Sequence, residues 1–294
     1  MQLIRIITLP FLPIYAFITW LRTWSYNKGV IKSNEFDIPI ITIGNLSVGG
    51  TGKTPHTEYL IRLLKKDVTI GVLSRGYRRK TDGYLEVAAD MTAAETGDEP
   101  LQMKRKFPEI VMSVDKVRLN GITNMLIDHE AVDVILLDDA FQHRAVRAGI
   151  NILLTTFKEP YFNDKLLPIG DLREFKSGKK RADIIVVTKC PDDLSQNQIA
   201  EFRNKISPET HQMLCFSKIK YGAFFDIQSG GTIKPHGKIV LVTGIANASP
   251  MLEHLKSLNL EVEHLEFRDH YSFSEKDIEK IKDCLLYTSD AADE

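Results

Sequence analysis

The stretch Ser47-Val48-Gly49-Gly50-Thr51-Gly52-Lys53-Thr54 has the residue types and order that hold a polyphosphate. In such a loop, main-chain N–H groups converge on phosphate oxygens, and the free amides that open the next helix attract the same anion. A lysine placed as Lys53 is reaches the β- and γ-phosphates, and a hydroxyl placed as that of Thr54 ligates Mg²⁺. The complete P-loop pattern asks for glycine where Ser47 stands, but Gly49 and Gly50 still supply permissive backbone. An apolar run, Ile38 to Ile43, precedes the loop and a helical pattern follows it. That strand–loop–helix context is what the motif requires, so nucleotide binding is the expectation.

A second constellation, Val134-Ile135-Leu136-Leu137-Asp138-Asp139, ends an aliphatic run in acid. A carboxylate at the carboxyl end of a strand beside a P-loop holds Mg²⁺, directly or through water. Asp138 is the expected metal ligand and Asp139 its companion, although adjacent acids at a strand end also serve as solvated turn residues. Phe141-Gln142-His143-Arg144 continues the same edge. Gly97-Asp98-Glu99-Pro100 is an acidic loop with two readings. A carboxylate there could take the proton of an attacking hydroxyl, or Asp98 could be a helix N-cap with Pro100 in the first turn. Asp269-His270 at the end of a later strand has the same two readings, and a lone Asp-His in such a place is more often structural than catalytic. Arg75, Arg78, Arg79 and Lys80 form a cationic run, either solvated or touching an anionic substrate at the carboxyl edge where open α/β sheets bind ligands.

These groups need strands to carry them. Apolar runs at Ile38–Ile43, Val68–Leu73, Val132–Leu137, Ile150–Thr155, Ile184–Thr188, Ile239–Thr243 and Val262–Phe267 alternate with helical patterns. Several are near-continuous Val/Ile/Leu, as in strands buried on both faces of a parallel sheet. Helices are expected at Thr54–Lys66 and Lys116–Asp128. A Gly/Pro-rich stretch, Gln228 to Gly237, separates the last two strands from the rest and is the expected boundary region. The fold expected is α/β: a P-loop NTPase-like, mainly parallel sheet over 36–210 and a smaller C-terminal α/β lobe over 211–283.

With 294 residues, 43% hydrophobic and 26% charged, a sizeable core is assured, and a net charge of −1 gives no support for bulk nucleic-acid binding. Cys190, Cys215 and Cys284 have no metal-ligand spacing and build no disulfide framework, so a reducing compartment is expected. Residues 1–35 differ from this average. Ile6 to Leu21 is apolar and aromatic, edged by Arg5 and Arg22, yet short for a bilayer span and interrupted by Pro10 and Pro13. An N-terminal membrane-interface helix is the expectation, the alternative being a helix docked on the protein's own core. Residues 284–294 break the preceding pattern and resemble translated adapter sequence. They are set apart as a non-native tail, with the native chain expected to continue beyond 283.

The set resembles the tetraacyldisaccharide 4′-kinase (lipid A 4′-kinase) family. The resemblance rests on Gly44-Asn45 leading into Ser47–Pro55, on Ser74-Arg75-Gly76-Tyr77, Gly97–Pro100 and Asp138–His143. It continues through Leu167–Glu174, Val187–Pro191, Val242–Asn247 and Asp269-His270. It implies an ATP- and Mg²⁺-dependent kinase acting on the 4′-hydroxyl of a tetraacylated glucosamine disaccharide 1-phosphate. It also implies a monotopic enzyme on the cytoplasmic face of the bacterial inner membrane, with an anionic glycolipid substrate and no obligate protein partner. By position, Asp98 and His270 match the family's catalytic dyad, and Asp138 its metal ligand. Arg75, Arg118, Asp139, Arg173 and Glu174 match residues lining the substrate site. Arg78 stands where the family commonly has glycine. A partitioning-type regulatory ATPase would need a lysine where Val48 stands, and a GTPase switch an aspartate where Pro191 stands.

Overall fold

The computed structural model describes residues 8–290 other than Ala246, His270 and Ser272. The chain divides into two compact units, Met1–Ile219 and Lys220–Glu294.

The first unit is built on an eight-stranded sheet. Its strands are β1 (Ile40–Asn45), β2 (Ile70–Ser74), β3 (Leu85–Glu86), β4 (Val111–Val114), β5 (Val134–Leu137), β6 (Ile150–Thr156), β7 (Ile184–Thr188) and β8 (Met213–Phe216). Their spatial order is β3-β4-β2-β5-β1-β6-β7-β8, parallel throughout except for the β3–β4 edge pair. The helices are α1 (Leu12–Asn27), α2 (Lys53–Leu64), α3 (Ala93–Thr96), α4 (Asp98–Lys106), α5 (Arg118–Asp128) and α6 (Gln196–Ile206).

Strict alternation along each buried strand sends neighbours to opposite faces. Val72 and Leu136 join Ile61 of α2 and Met103 of α4, while Leu73, Ile135 and Leu137 join Ile122 and Met125 of α5. On the other wing, Leu153, Ile185 and Val187 pack with Phe202 and Ile206 of α6. Burial on both faces is why these strands read as unbroken aliphatic runs.

The second unit contains an antiparallel hairpin, β9 (Phe224–Phe225) with β10 (Thr232–Ile233), and a parallel pair. That pair is β11 (Lys238–Thr243) with β12 (Glu261–Glu266), connected by α7 (Ser249–Ser257); α8 (Glu275–Asp290) follows. The helix α8 runs through the segment set apart at residue 284, and the Cys284 thiol donates to Glu263 Oε1 at 3.0 Å.

Two expectations about boundaries are corrected. Residues 213–216 pair in parallel with β7, so the first unit continues past 210 to Ile219. Gln228–Gly237 lies inside the second unit, where Asp226 and Gly230 (φ 68°) close the β9–β10 turn. The backbone at Arg78 is of the kind that favours glycine. That residue sits at φ 60°, in the left-handed region that costs any side chain energy.

The loop after β5 folds closely over the end of β1. A Cβ built on Gly44 would lie 2.6 Å from Phe141 Cβ and 2.9 Å from Phe141 N. Gly44→Ala is therefore expected to destabilise the protein by about 1–3 kcal/mol, read as a lower urea midpoint with unchanged m-value. An unchanged midpoint would mean that the loop yields without cost.

Candidate active site

The chain reverses its winding direction at β1: β1 to β2 skips over β5, and β5 to β6 passes over β1. Ligands of open α/β sheets sit outside the carboxyl ends of strands at such a switch point. The register Thr42↔Leu137 brings the end of β1 beside Asp138 and Asp139. Both motifs thus open onto one crevice.

The loop Ser47–Gly52 is tied down from outside itself. Val48 N–H donates to Asp171 O at 2.7 Å, and Ser47 bridges Leu172. Thr188 Oγ1 donates to Thr51 O at 2.8 Å and Lys189 Nζ to Gly50 O at 2.7 Å. Loop carbonyls are thereby turned toward the protein. Gly49 and Gly52 adopt φ 110° and 89°, and Gly52 is the N-cap of α2 without any side-chain cap. The first amides of α2 are thus available to an anion. Pro55 falls in the first turn, where its missing N–H costs nothing.

Around that helix start gather the charged groups. Lys53 Nζ lies 3.7 Å from Asp139 Oδ1, and Arg173 Nη1 grips both Asp139 oxygens at 2.9 and 3.1 Å. Asp139 is held at φ 45°, a strained conformation for a non-glycine residue. Thr54 Oγ1 donates to Glu99 Oε1 at 3.0 Å, and Thr57 Oγ1 to Asp138 Oδ1 at 3.2 Å. Arg118 Nη2 donates to Asp138 O at 3.1 Å. Buried side-chain atoms of Asn45, Thr51 and Arg118 Nε lack a protein partner.

The two neighbouring acids have opposite fates. Burial, then the Glu99 and Asp139 carboxylates, push Asp138 up to about 6 against the pull of Lys53 and Arg118. Burial also opposes ionisation of Asp139, but Lys53, Arg173 and Arg118 outweigh it and hold that carboxyl below its ordinary value. Burial, then Arg118, Arg22 and Arg75, lower His143 to about 4, so its imidazole is neutral at physiological pH. Arg118, lowered to about 10 chiefly by burial, stays charged.

The expected site residues are placed unequally. Ser47–Thr54, Asp138, Asp139 and Arg173 come together. Arg75 is exposed at the end of β2, within electrostatic reach of Arg118 and His143. Asp98 is exposed and is the first residue of α4; Gly97 (φ 91°) is the N-cap, which corrects the capping role read for Asp98. His270 lies outside the described residues. Arg118 and Glu174, expected to touch substrate, are buried. Glu174 Oε1 accepts from Gln142 Nε2 and Arg181 Nη2, both at 2.8 Å, so these two residues brace the site from behind. Within the cationic run, Arg79 is also buried and bonded to Gly83 O.

Glu99 was missed by sequence reasoning. Its signal was present, an acid beside Asp98, but only the fold brings it to Thr54. Thr54 Oγ1, Glu99 and Asp138 offer hard oxygen donors alone, the set suited to Mg²⁺.

Comparison with known proteins bears on this geometry. A family model described as Tetraacyldisaccharide-1-P 4'-kinase matches residues 4–289. The chain belongs to the tetraacyldisaccharide 4′-kinase family. The Flavobacterium johnsoniae kinase of that name is 46% identical over 96% of this chain and 83% of its own length. The Phocaeicola vulgatus kinase is 44% identical over 92% and 76%. The crystal structure of LpxK from Aquifex aeolicus in complex with ATP is similar at a TM-score of 0.73 and 30% identity, covering 92% of this chain and 84% of that one.

Asp138 generates a pH prediction. Its folded pKa of about 6 exceeds the ordinary 3.8, so the folded state binds more protons between those values. Stability is therefore lost as pH rises through that window, and the penalty is complete above it. Asp138→Asn should stabilise the ligand-free protein by about 2–3 kcal/mol above pH ~6.5, with no gain below pH ~4. Urea midpoints at both ends check this, and an equal gain at both would contradict it.

Proposed function

We propose that the chain transfers the γ-phosphoryl group of ATP to the 4′-hydroxyl of a tetraacylated disaccharide 1-phosphate at a membrane surface. As a family member it is an ATP-dependent phosphotransferase. The observation that carries the residue assignment is the convergence of three contacts at the β1–β5 crevice: Lys53 with Asp139, Thr54 with Glu99, and Thr57 with Asp138.

In this reading, the loop amides and the uncapped start of α2 hold the phosphates, and Lys53 offsets charge on the transferring group. Thr54, Glu99 and Asp138 would hold Mg²⁺, which when bound supplies charge neutralisation to the β- and γ-phosphates. Asp98 accepts the proton of the acceptor hydroxyl as its oxygen bonds to phosphorus. The bond to the β–γ bridging oxygen breaks, and ADP leaves. The Glu99–Thr54 contact supports that role, because it brings the start of α4, and so the adjacent Asp98, to the nucleotide end of α2. Arg75 and Arg173 would meet the anionic acceptor, while Asp139 keeps Lys53 and Arg173 aligned.

The lipid surface would be met by α1. Phe11, Ile14, Phe17, Ile18, Trp20, Leu21 and Trp24 are all exposed there, and Phe17, Trp20 and Trp24 stack in series. Among the described residues no helix is long and apolar enough to cross a membrane. A monotopic seat on the cytoplasmic face of the inner membrane fits an apolar, aromatic helix face of this kind. The regulatory-ATPase reading lacks its signature lysine, since Val48 occupies that position.

Mass spectrometry of a tetraacyldisaccharide 1-phosphate incubated with Mg²⁺, ATP and this protein should show gain of one phosphate at the distal sugar. Lys53→Ala should slow that gain on the order of 10³-fold. Near wild-type turnover in the variant would remove Lys53 from the mechanism.

A further inference from the structure

The helix α1 has two faces. Its outer one is the apolar surface described above. Its inner stripe, Leu12, Tyr15, Ala16, Thr19, Thr23 and Tyr26, follows helical spacing and is at least half-buried. The helix does not simply pack on aliphatic residues; it makes directed hydrogen bonds to the chain segments that carry the site. The Tyr15 hydroxyl donates to Arg173 O at 2.8 Å. Arg22 Nη2 donates to Gln142 O at 2.6 Å, and Gln142 Nε2 donates in turn to Asn45 O at 2.8 Å. Arg144 returns the grip, reaching Thr23 O and Asn27 Oδ1 with its guanidinium 4.8 Å from the Tyr26 ring centroid.

We propose that Tyr15 is a positioning residue for phosphoryl transfer: its hydroxyl fixes the main chain at Arg173 and so sets the side-chain fork that holds Asp139 against Lys53. The inference rests on the reading of Lys53 and Arg173 as parts of the transfer site. Arg173 is a natural point of control. Its N–H donates to Leu46 O at 2.7 Å, immediately before the phosphate loop, and its carbonyl takes the Tyr15 hydroxyl. The two peptide groups that flank the Arg173 Cα are thus pinned, one to the loop and one to α1. The side chain between them makes the two-oxygen contact with Asp139, whose φ of 45° persists only while its surroundings hold it. Burial of Tyr15 raises its phenol pKa, so the hydroxyl remains a donor across the physiological range. A shift of a few tenths of an ångström at a phosphoryl-transfer site is costly, because catalysis there is almost wholly positioning and electrostatics. The helix that meets the lipid is thereby wired to the catalytic charges, and its two faces have separable duties.

The test uses the full chain in detergent mixed micelles, with saturating ATP and tetraacyldisaccharide 1-phosphate. Tyr15→Phe keeps the ring and loses only the hydroxyl. Its kcat should fall about fivefold, the scale of one lost hydrogen bond, with KM for ATP and vesicle sedimentation unchanged. Assays run well below the thermal transition of each variant hold the folded fraction constant. Combined with Arg173→Ala, the loss should not deepen beyond that of Arg173→Ala alone. A wild-type kcat in Tyr15→Phe, or losses that multiply in the double variant, would overturn the inference. Full activity in Arg173→Ala would instead overturn the reading beneath it. A Tyr15→Phe variant that merely leaves the vesicles with kcat intact would make Tyr15 part of the membrane seat alone.

Discussion

Everything at the carboxyl edge of the sheet is arranged around two adjacent carboxylates, Asp138 and Asp139, that the end of β5 carries out of a fully aliphatic strand. Two like charges in consecutive residues, one of them 2% exposed, cannot both ionise without compensation. The fold meets this by dividing the pair. Asp139 turns through φ 45° to face Lys53 and Arg173, and stays ionised. Asp138 turns inward to the Thr57 and Ser74 hydroxyls and is left with a raised pKa. A bound cation would relieve that burden. Each compensating group arrives on a different element: Lys53 on α2, Arg118 on α5, and Arg173 on the segment that pairs with Ser47. The site is therefore incomplete unless the whole first unit has folded.

Much of this architecture is legible in the chain, for reasons that can be located. Strands β1, β2, β5, β6 and β7 are buried on both faces, so each announces itself as an aliphatic run. The phosphate loop is legible because its backbone demands leave glycine at Gly49 and Gly52. By contrast β4, Val-Met-Ser-Val, is short and interrupted by a polar residue, and α4 is mostly charged beyond its first turn. Neither stands out by periodicity. The chain likewise conceals β8, whose Met-Leu-Cys-Phe sequence begins just past residue 210, where the first domain was expected to end. Its membership in the main sheet depends on pairing with β7, a long-range fact.

The site was legible to the same degree. Lys53, Thr54 and Asp138 follow from motif and strand context alone. Glu99 does not, because its role depends on α4 crossing to the start of α2. Arg118 and Glu174 were recognisable as site residues by resemblance, yet their duty as buried braces emerges only from Asp115, Gln142 and Arg181 around them. The N-terminal helix has two unlike faces. Its polar inner stripe docks on the protein, and its aromatic outer face remains exposed.

As a proposed ligand of the cation that arrives with the nucleotide, Asp138 should give up its proton on binding. Calorimetric titration with Mg²⁺ and ATP near pH ~6, repeated in buffers of different ionisation enthalpy, counts the protons released on binding. The account predicts that the wild-type chain releases more protons than Asp138→Asn at that pH, and that the difference vanishes above pH ~8. Equal proton release by both proteins, with equal affinity, would contradict it.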